Sequence, residues 1–521
     1  MFITSLFYAI FFLIVFYVSM QIRNINNLSF KGRINSLYFN DMHSSCKYLN
    51  AFNYARDQFY LTHSKDTNLT VSGGDLFVED SVTNKKAAEK LKGKLDACAV
   101  GNHDIENGEN LTKLLETMGL SKRMLANNVS YSKETSLSSS IVNSIIIDKN
   151  NDKIGFIGVM PIDFGQVTHV SEKNDFIAPF DFEESINAVK NDIAELEKQG
   201  VNKIFVLTHT GEFSPEGVNY YSELAKLGGV DAVFGGHDHR EVDRWETTER
   251  GEPVKIVATG ASSNHGFEGA LDYFGVLSLF FDDNGVIEKN KSYNKFIETS
   301  KFLTLAPVDE PPKTLFVLPT VTTCEKPLHE DNPTARIVAD SNLWYVNSNT
   351  KCEKADFAFV NAGTIRSDFE KPEINFDDIA EVVPFTSSRL IKTQLTKKQI
   401  MDTLNYSAKS TSMPKPLPGL MQVSGMTYSV NPDLTVSDVK IVNPDGSVKY
   451  SLDELDGADK VTCVYDSFLA TGVAGLSELE KDIKSPDVEL FENVSRQVAL
   501  KSYLENNTIL YPYQNSRILF K

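Results

Sequence analysis

The sequence predicts an α/β protein with more than one domain. In the first half of the chain, short apolar runs alternate with longer amphipathic stretches, which is typical of strands and helices arranged in layers. The chain has 521 residues, too many for one ordinary hydrophobic core. A proline-rich break near the middle separates two stretches that each suit one domain.

The first element along the chain is an apolar segment, 1–22, without a charged side chain. About 20 apolar residues suffice to span a bilayer as a helix. The basic start and cleavage site of a secretory signal are not clear here, so a membrane anchor and a signal segment both stay open. Arg23, Lys31 and Arg33 follow the segment and favour a cytoplasmic downstream domain, which leaves the orientation open as well.

A first domain is predicted over 33–300. Its apolar runs are "INSLYF", "NLTVS", "DACAV", "KIGFIGV", "NKIFVLT", "DAVF" and "VKIVAT". Between two of them, Ile186, Val189, Ile193 and Leu196 recur at helical spacing, and Gly200 follows as a helix stop. Strand, helix and strand repeated in this way predict a layered α/β domain.

A linker is predicted over 301–325, where four prolines fall close together: Pro307, Pro311, Pro312 and Pro319. Proline fixes φ and removes a hydrogen-bond donor, so the segment is interpreted as irregular. Mixed α/β patterning resumes over 326–521, a comfortable length for a second domain.

The charge and cysteine content exclude some classes of function. The formal net charge is −18, which argues against nucleic-acid binding because that requires a basic face. The five cysteines show no C-x-x-C spacing and predict neither a disulfide framework nor a zinc knuckle. Because the chain is strongly acidic, an anionic substrate would need a local positive centre such as bound metal.

Polar side chains follow five apolar runs of the first domain at the point where each run ends. They are Asp41 and His43 in "SLYFNDMH", Asp75 in "LTVSGGD", Asn102, His103 and Asp104 in "ACAVGNHD", His209 in "IFVLTHTGE", and His237 and His239 in "AVFGGHDH". Binding sites of open α/β sheets form outside the carboxyl ends of strands, so these groups are predicted to share one site. The other histidines, His63, His169, His265 and His329, lack this setting and are interpreted as surface or turn residues.

The residue types predict a metal centre. Mixed imidazole and carboxylate groups suit Zn, Mn, Fe, Co or Ni, whereas calcium prefers oxygen ligands alone. The candidate ligands are Asp41, His43, Asp75, Asn102, His209, His237 and His239, too many for one tetrahedral ion. They suit two ions that share a carboxylate, an arrangement that clamps a phosphoryl group and can activate water near neutral pH.

The ordered motifs D-x-H, G-G-D, G-N-H-D, T-H-T-G and G-H-D-H resemble those of the calcineurin-like metallophosphoesterases. In the second half, "NAGTIRSDFEKPEINFDDIAEVVPF" and "MQVSGMTYSVNP" resemble the C-terminal domain of the 5′-nucleotidase and UDP-sugar hydrolase family. The resemblance covers nearly everything after residue 33. Each motif is moderately specific alone, and their ordered combination is highly specific.

The resemblance implies a four-layer α/β/β/α metallophosphoesterase domain joined to a second α/β, nucleotide-binding domain. It implies that one metal ion is held by Asp41, His43, Asp75 and His239, and the other by Asp75, Asn102, His209 and His237. His103 matches the catalytic histidine of the family. Asn361 and Arg366 are expected at the phosphate, and Phe385 and Phe468 around the base; without the resemblance, the two phenylalanines would be interpreted as core aromatics.

The sequence departs from the family pattern at two informative positions. The acid three residues after the catalytic histidine is usually aspartate, and here it is Glu106, with Asp104 as an alternative partner of His103. Ala474 occupies the position at which the family has an aspartate that binds the ribose hydroxyls. Glu106 bears on the orientation of His103 and Ala474 on the ribose, and neither position is a candidate metal ligand.

The sequence therefore predicts a metal-dependent hydrolase that releases phosphate from nucleoside 5′-monophosphates, with a role in nucleotide catabolism. Alternatives are a 2′,3′-cyclic-nucleotide phosphodiesterase or a UDP-sugar hydrolase. A different class, a membrane-tethered nucleotide-binding protein without turnover, also stays open. The catalytic domain is expected outside the cytoplasm, either anchored or secreted, and the sequence predicts no oligomeric state.

Overall fold

The computed structural model describes residues 32–521 except 47, 79–80, 82, 133, 151, 163–176, 215–216, 261–272, 308–312, 351–352, 414–417, 473–474 and 507–515. The predicted anchor or signal segment, His169, His265 and Ala474 lie outside the described residues. In the ranges that are described, no helix combines the length and the apolar character needed to cross a bilayer.

The first half of the chain forms sheets flanked by helices. Its strands are β1 (Arg33–Phe39), β2 (Thr67–Ser72), β3 (Ala97–Ala99), β4 (Met124–Leu125), β5 (Val129–Tyr131), β6 (Ile141–Val142), β7 (Ser144–Lys149), β8 (Asp152–Val159), β9 (Ile177–Pro179), β10 (Ile204–Thr208), β11 (Ala232–Phe234), β12 (Val242–Thr247), β13 (Pro253–Ala258), β14 (Tyr273–Phe280) and β15 (Tyr293–Glu298). Its helices are α1 (Leu49–Thr62), α2 (Thr83–Leu91), α3 (Asn102–Ile105), α4 (Asn110–Met118), α5 (Ser136–Ser140), α6 (Phe182–Lys198) and α7 (Tyr220–Ala225).

Two large sheets organise these strands. One has the order β15-β14-β1-β2-β3-β4-β6, and the other has the order β12-β13-β11-β10-β8-β7. Strands β1 to β4 pair in parallel in the first sheet, and β8, β10, β11 and β13 pair in parallel in the second. The carboxyl ends of each parallel set therefore lie along one edge of its sheet.

The sheets pack face to face, and helices cover their outer faces. A buried cluster between the sheets joins Tyr38 and Val71 of the first to Phe156, Phe205 and Phe234 of the second. Burying one side chain of this size stabilises the fold by roughly 1.5–3 kcal/mol. Separate clusters join α1, α2 and α4 to the first sheet and α6 and α7 to the second. The four-layer α/β/β/α prediction is confirmed.

Helix α6 shows how local sequence sets one of these elements. Asp181 accepts a hydrogen bond from the backbone N of Glu184 at 2.8 Å, so it caps the amino terminus of the helix. Val189, Ile193 and Leu196 are buried against the second sheet. The helix ends two residues before Gly200, whose φ of 77° suits glycine. The predicted helix and its stop are both confirmed.

The second half is also a mixture of helices and strands. Its strands are β16 (Phe316–Val317), β17 (Phe357–Asn361), β18 (Glu373–Ile374), β19 (Leu390–Thr396), β20 (Met421–Ser424), β21 (Met426–Val430), β22 (Val436–Val442), β23 (Val448–Ser451), β24 (Lys460–Asp466), β25 (Glu489–Leu490) and β26 (Ile518–Phe520). Its helices are α8 (Pro333–Asn349), α9 (Phe376–Val382), α10 (Lys397–Ser410) and α11 (Arg496–Asn506). The main sheet has the order β20-β17-β24-β19-β25. The prediction of a second α/β domain is confirmed, and its exact boundaries stay a prediction.

The two halves touch beside the carboxyl ends of the first sheet. Nζ of Lys86 on α2 lies 2.5 Å from Oδ2 of Asp377 on α9. The backbone N of Cys46 donates to Oε1 of Glu381 on the same helix at 3.3 Å. Helix α9 thus joins the second half to helix α2 and to the loop that follows β1.

One of the remaining histidines lies in a turn and is also buried. His63 lies in the turn after α1, as predicted, but it is buried rather than on the surface. Its ring stacks on Phe59 with 4.0 Å between ring centroids, and Nδ1 lies 3.0 Å from the carbonyl oxygen of Phe59. The turn packs this side chain back onto its own helix, which sequence spacing alone does not reveal.

Candidate metal centre and active site

The seven predicted ligands lie together where the two sheets meet at their carboxyl ends. Asp41 and His43 follow β1, Asp75 follows β2 and Asn102 follows β3, while His209 follows β10 and His237 and His239 follow β11. The loops of the two sheets touch directly, because Nδ1 of His209 lies 2.7 Å from the carbonyl oxygen of Gly73. The layered packing therefore brings residues as far apart in the chain as Asp41 and His237 into one cluster.

Asp75 lies at the centre of the cluster. Its Oδ2 is 3.1 Å from Nε2 of His43 and 3.1 Å from Nε2 of His209. Its other oxygen, Oδ1, accepts a hydrogen bond from the backbone N of His103 at 2.9 Å. The carboxylate thus faces imidazole groups from both sheets.

Asp41 forms the second carboxylate of the cluster. Its Oδ1 lies 3.0 Å from Nε2 of His239 and 3.6 Å from Nε2 of His209. The backbone N of His237 donates to its Oδ2 at 3.0 Å. Burial raises the pKa of Asp41, but His239 and His209 outweigh burial and hold that pKa below its usual value. The group is therefore a carboxylate at neutral pH.

Three sets of side chains are close enough to hold a metal ion. In each set the candidate ligand atoms lie within 4.8 Å of one another, and the sets are Asp41, His43 and His239; His43, Asp75 and His103; and Asp41, Asp75 and His209. Oδ1 of Asn102 lies 3.0 Å from Nδ1 of His237, next to these sets. The shared members show one continuous cluster rather than separate sites.

The backbone at this cluster is held in an uncommon conformation. Among the described residues, ten non-glycine residues have positive φ, and five of them are predicted ligands: Asp41, His43, Asp75, His237 and His239. Such a conformation costs about 1–3 kcal/mol per residue and persists where the surrounding structure enforces it. Strain concentrated in this way is typical of a functional site.

Gly74 shows why the turn before Asp75 requires glycine. Its φ is 105°, and a Cβ there would lie 2.5 Å from Nδ1 of His209. Any larger residue would push the β2 loop away from the β10 loop. The glycine therefore permits the close approach of the two sheets' loops, as well as the turn itself.

The chemistry of the donor atoms fits bound cations. The carbonyl of Gly73 can only accept, so Nδ1 of His209 carries a proton, and Nε2 is the ring atom that can bind a cation in place of a second proton. That buried Nε2 makes no hydrogen bond and faces carboxylate oxygens of Asp75 and Asp41. Burial lowers the pKa of His209, but these two carboxylates raise it to about 9. A divalent cation would satisfy the same acceptors that otherwise favour a proton.

His43 is suited to metal binding for a different reason. It is buried, and burial is the largest cause that lowers its pKa to about 4. The ring is therefore neutral at neutral pH, which is the form in which histidine binds metal.

His103 and Glu106 form a pair on one helical turn. Nδ1 of His103 donates to Oε2 of Glu106 at 2.7 Å. The Glu106 side chain is 6% exposed, and that of His103 is 14% exposed. The longer glutamate side chain therefore still reaches the imidazole where the family usually has aspartate.

Asp104, the alternative partner for His103, has other contacts. Its carboxylate accepts hydrogen bonds from the backbone N of Asp75, Phe77 and Gly101 at 2.9–3.0 Å. Burial and then the neighbouring Asp75 raise the pKa of Asp104 to about 8. Asp104 thus ties the loop after β2 to the loop after β3 and supports the centre through the backbone.

Two of the predicted substrate residues reach the cluster from the second half. The ring of Phe385 lies 5.4 Å from that of His103, and Cζ of Arg366 lies 5.2 Å from the Phe385 ring centre. An open pocket lies beside Arg366, with His43, Ser44 and Glu381 among its other lining residues. The pocket thus has walls from both halves of the chain.

The other two predicted substrate residues lie deeper in the second half. Asn361 ends β17 and is buried, and its Oδ1 accepts from Oγ1 of Thr364 at 2.8 Å. Phe468 is half-buried after β24 and packs against the hydrophobic core of this half. Both side chains therefore contribute to packing as well as being candidates for substrate contact.

Two residues that orient the centre were not among those predicted from the sequence. Nδ2 of Asn40 donates to Oδ2 of Asp41 at 2.5 Å and to the carbonyl oxygen of Thr259 at 2.7 Å. Oδ2 of Asp238 accepts from the backbone N of Glu212 at 2.5 Å, which links the β10 and β11 loops. Each is adjacent in sequence to a predicted ligand, and that adjacency was the available signal.

Comparisons with known proteins agree with this architecture. Residues 35–241 match the family of calcineurin-like phosphoesterases, and residues 313–481 match the 5′-nucleotidase C-terminal domain. Over 500 residues the chain is 24% identical to a trifunctional nucleotide phosphoesterase protein of Bacillus subtilis, covering 83% of this chain and 32% of that protein. It is 27% identical over 386 residues to a 5′-nucleotidase of Vibrio vulnificus, covering 65% of this chain and 68% of that protein.

A solved structure shares the fold over nearly the full length. The 5′-nucleotidase precursor of Thermus thermophilus superposes with a TM-score of 0.69 at 18% identity, covering 94% of this chain and 99% of that one. Both family matches fall on the two halves described above, in the same order. The chain therefore belongs to the family that joins a calcineurin-like phosphoesterase domain to a 5′-nucleotidase C-terminal domain.

Proposed function

We propose that the protein hydrolyses nucleoside 5′-monophosphates to a nucleoside and inorganic phosphate, using two divalent metal ions. The observation that carries the proposal is the position of Asp75. One of its oxygens lies 3.1 Å from an imidazole nitrogen of each sheet, His43 on one side and His209 on the other. A single carboxylate between two sets of donors is what two ions sharing a ligand require.

In this proposal, Asp41, His43, Asp75 and His239 hold one ion, and Asp75, Asn102, His209 and His237 hold the other. Their imidazole and carboxylate groups suit Zn or Mn. When bound, two such ions supply positive charge for the phosphate and lower the pKa of a water molecule. Asn40, Asp104 and Asp238 keep the ligand loops in place through the hydrogen bonds already described.

His103 is proposed to stabilise the phosphoryl group during transfer. With Nδ1 held by Glu106, Nε2 is the ring atom proposed to face the substrate. In the protonated ring, Nε2 donates a hydrogen bond to a phosphate oxygen, and the Glu106 carboxylate stabilises the positive ring. The pair thus presents a fixed donor beside the metal ligands.

The second half is proposed to bind the rest of the nucleotide. Asn361 and Arg366 approach the phosphate, and an arginine can contact it through two parallel hydrogen bonds. Phe385 and Phe468 are proposed to stack on the base. The closeness of Phe385 to His103 supports this arrangement, because a phosphate at His103 would bring its nucleoside beside that ring.

The same centre also suits two related substrates: UDP-sugars, which the family resemblance includes, and 2′,3′-cyclic nucleotides, whose hydrolysis uses the same two-metal chemistry. A protein that binds nucleotides without turnover is the alternative from a different class. All seven candidate ligands and the His103–Glu106 pair lie together in the described structure, which favours turnover.

A phosphate-release panel with AMP, UDP-glucose, 2′,3′-cyclic AMP and a chromogenic aryl phosphate tests the proposal. We expect the highest kcat/KM for AMP, with activity lost to a chelator and restored by Mn or Zn. A higher value for UDP-glucose or for the cyclic nucleotide would assign one of the related activities. No release from any of the four compounds would favour the binding protein.

We further propose that the catalytic domain acts outside the cytoplasm. The support is the uncharged apolar segment at 1–22, which has the length of an anchor or a signal segment.

A further inference from the structure

A buried arginine lies behind the candidate substrate residues of the second half. Arg496 is the first residue of α11, and its side chain is 2% exposed. Its Nη1 lies 2.7 Å from Oδ2 of Asp466, whose side chain is 1% exposed. The same Nη1 donates to Oγ1 of Thr364 at 3.0 Å, and Nη2 donates to Oδ1 of Asn361 at 3.4 Å. One guanidinium thus connects three segments of the chain.

Two of these segments leave the same edge of one sheet. Strands β17 and β24 pair in parallel, with Phe357 opposite Cys463 and Ala358 opposite Val464. Asn361 is the last residue of β17, and Asp466 is the last residue of β24. The two loops that follow therefore begin side by side, and Arg496 lies across them.

Each loop carries a different part of the proposed nucleotide site. Oδ1 of Asp466 accepts from the backbone N of Leu469 at 3.1 Å, which sets the turn that contains Phe468. Thr364 lies two residues before Arg366, whose backbone N donates to the carbonyl of Val382 at 2.9 Å. One loop therefore presents the stacking ring, and the other presents the phosphate-binding arginine.

We propose that Arg496 is a positioning residue that sets the spacing between the phosphate-binding and base-binding loops. This inference rests on the proposed function, because that function assigns the two ends of one nucleotide to the two loops. The planar fork of arginine reaches Asp466, Thr364 and Asn361 at once, whereas a lysine ammonium would keep the charge but not this geometry. Correct spacing lets both ends of a nucleotide bind together, which gives affinity that neither end has alone.

The test compares Arg496→Lys with Arg517→Lys. Arg517 is a matched control because it also forms an arginine–aspartate pair in the second half, with Nη1 and Nη2 at 2.7 and 2.9 Å from the two oxygens of Asp340. The ligands are AMP, which has both ends, phenyl phosphate, which has the phosphate end, and adenosine as an inhibitor with the base end. Melting temperatures of both variants are measured alongside.

We expect Arg496→Lys to lower kcat/KM for AMP by about 10-fold or more. The kcat/KM for phenyl phosphate and the inhibition constant of adenosine should change by less than about 3-fold, because each of these compounds contacts only one of the two loops. Arg517→Lys should leave all three near wild type. Should Arg496→Lys fail to fold, Thr364→Val removes one contact of the fork without changing charge and should show the same selective loss for AMP.

Equal losses for AMP and phenyl phosphate in Arg496→Lys, or no loss for AMP, would overturn the inference. If the wild type releases no phosphate from AMP, the proposed function fails. The inference is then decided by calorimetry of AMP binding to the chelator-treated protein: weaker binding in Arg496→Lys supports it, and equal or absent binding overturns it.

Discussion

Asp75 is the residue on which the two sides of the candidate metal centre depend. It is buried, its φ is 52°, and it faces His43 and His209 with the same oxygen. Burial raises its pKa, but His209 and His103 outweigh burial and lower that pKa well below the usual value. A buried carboxylate in a left-handed backbone conformation persists only where its contacts offset the costs of burial and backbone strain.

Asp75→Asn should remove most of the activity and lower the metal content, because both of the proposed ions would lose a shared anionic ligand. We expect a fall in kcat/KM for AMP of at least about 100-fold, measured together with metal per protein after dialysis. Asp231→Asn, at another buried aspartate outside the centre, is the matched control and should keep its metal. Wild-type rates in Asp75→Asn after chelation and readdition of Mn or Zn would contradict the two-ion proposal.

Glu106→Gln should lower kcat while leaving the metal content unchanged. The amide can still accept from Nδ1 of His103, but it carries no charge to stabilise a protonated ring. The expected loss is about 10- to 100-fold, and the measurement is kcat at saturating AMP. Glu106→Asp should retain much more activity because the carboxylate remains. If the glutamine variant turned over at the wild-type rate, His103 would not depend on that charge.

Discrimination between ribose and deoxyribose should be weak. Ala474, outside the described residues, cannot accept the hydrogen bonds that an aspartate would accept from the ribose hydroxyls. A site without such an acceptor has little basis for rejecting the deoxy analogue. We expect kcat/KM for AMP to exceed that for dAMP by less than about 100-fold, equivalent to about 2.7 kcal/mol. A larger ratio would mean that another residue binds the ribose.

At the scale of the structural elements, a contact between the start of β10 and the start of β11 sets the positions of the loops that follow these strands. Asp231 stands directly before β11, and its Oδ2 accepts from the backbone N of Ile204, the first residue of β10, at 2.8 Å. A backbone hydrogen bond in the opposite direction, from the N of Asp231 to the carbonyl of Ile204, is also 2.8 Å long. This double contact aligns two strands whose far ends carry His209 and His237.

The Asp231 carboxyl should make stability depend on pH. Burial raises its pKa well above the usual value in the folded protein, so the folded state favours the protonated form. The contribution of Asp231 to the stability of the folded state is therefore complete below the pKa of about 3.9 that the carboxyl has in the unfolded chain. It is lost as the pH rises through the higher pKa of the folded state. As the pH rises from 5 to 8, the melting temperature of Asp231→Asn should therefore increase by a few degrees relative to that of the wild type. Parallel pH curves for the two proteins would contradict this expectation.

At the scale of the whole molecule, the candidate active site belongs to both halves. The first half supplies the carboxylates and imidazoles; from the second half, Arg366 lines the pocket beside His43, and the ring of Phe385 lies next to that of His103. The Lys86–Asp377 and Cys46–Glu381 contacts join the halves, and Glu381 also lines that pocket. Under the proposed function, a substrate bound there would contact the candidate metal ligands on one side and the proposed nucleotide-binding residues on the other.

The location of the whole protein can be tested with protease on intact cells. If 1–22 anchors or exports the chain as proposed, the catalytic domain should be cleaved without lysis. A cytoplasmic protein expressed in the same cells serves as the intactness control. Cleavage that requires lysis would overturn the proposed location, and it would agree instead with the basic residues Arg23, Lys31 and Arg33 that follow the segment.

The sequence by itself determined the α/β class, the helix at α6 and the place of the candidate site. These features depend on short-range information: apolar periodicity, the Asp181 cap, and polar residues placed where strands end. Because parallel strands direct their carboxyl ends to one edge, ligands that follow separate strands can be grouped from their positions in the chain. The four-layer order was predicted from the family that the ordered motifs resemble.

Only the tertiary structure decided which groups contact one another across the layers. Asn40 bonds to Thr259, and Arg496 joins Asp466 to Asn361, in each case between residues that lie far apart in the chain. The structure also assigned Glu106 rather than Asp104 to the His103 ring. Such contacts depend on how the sheets pack and on the direction of single side chains, and neither leaves a periodic signal in the sequence.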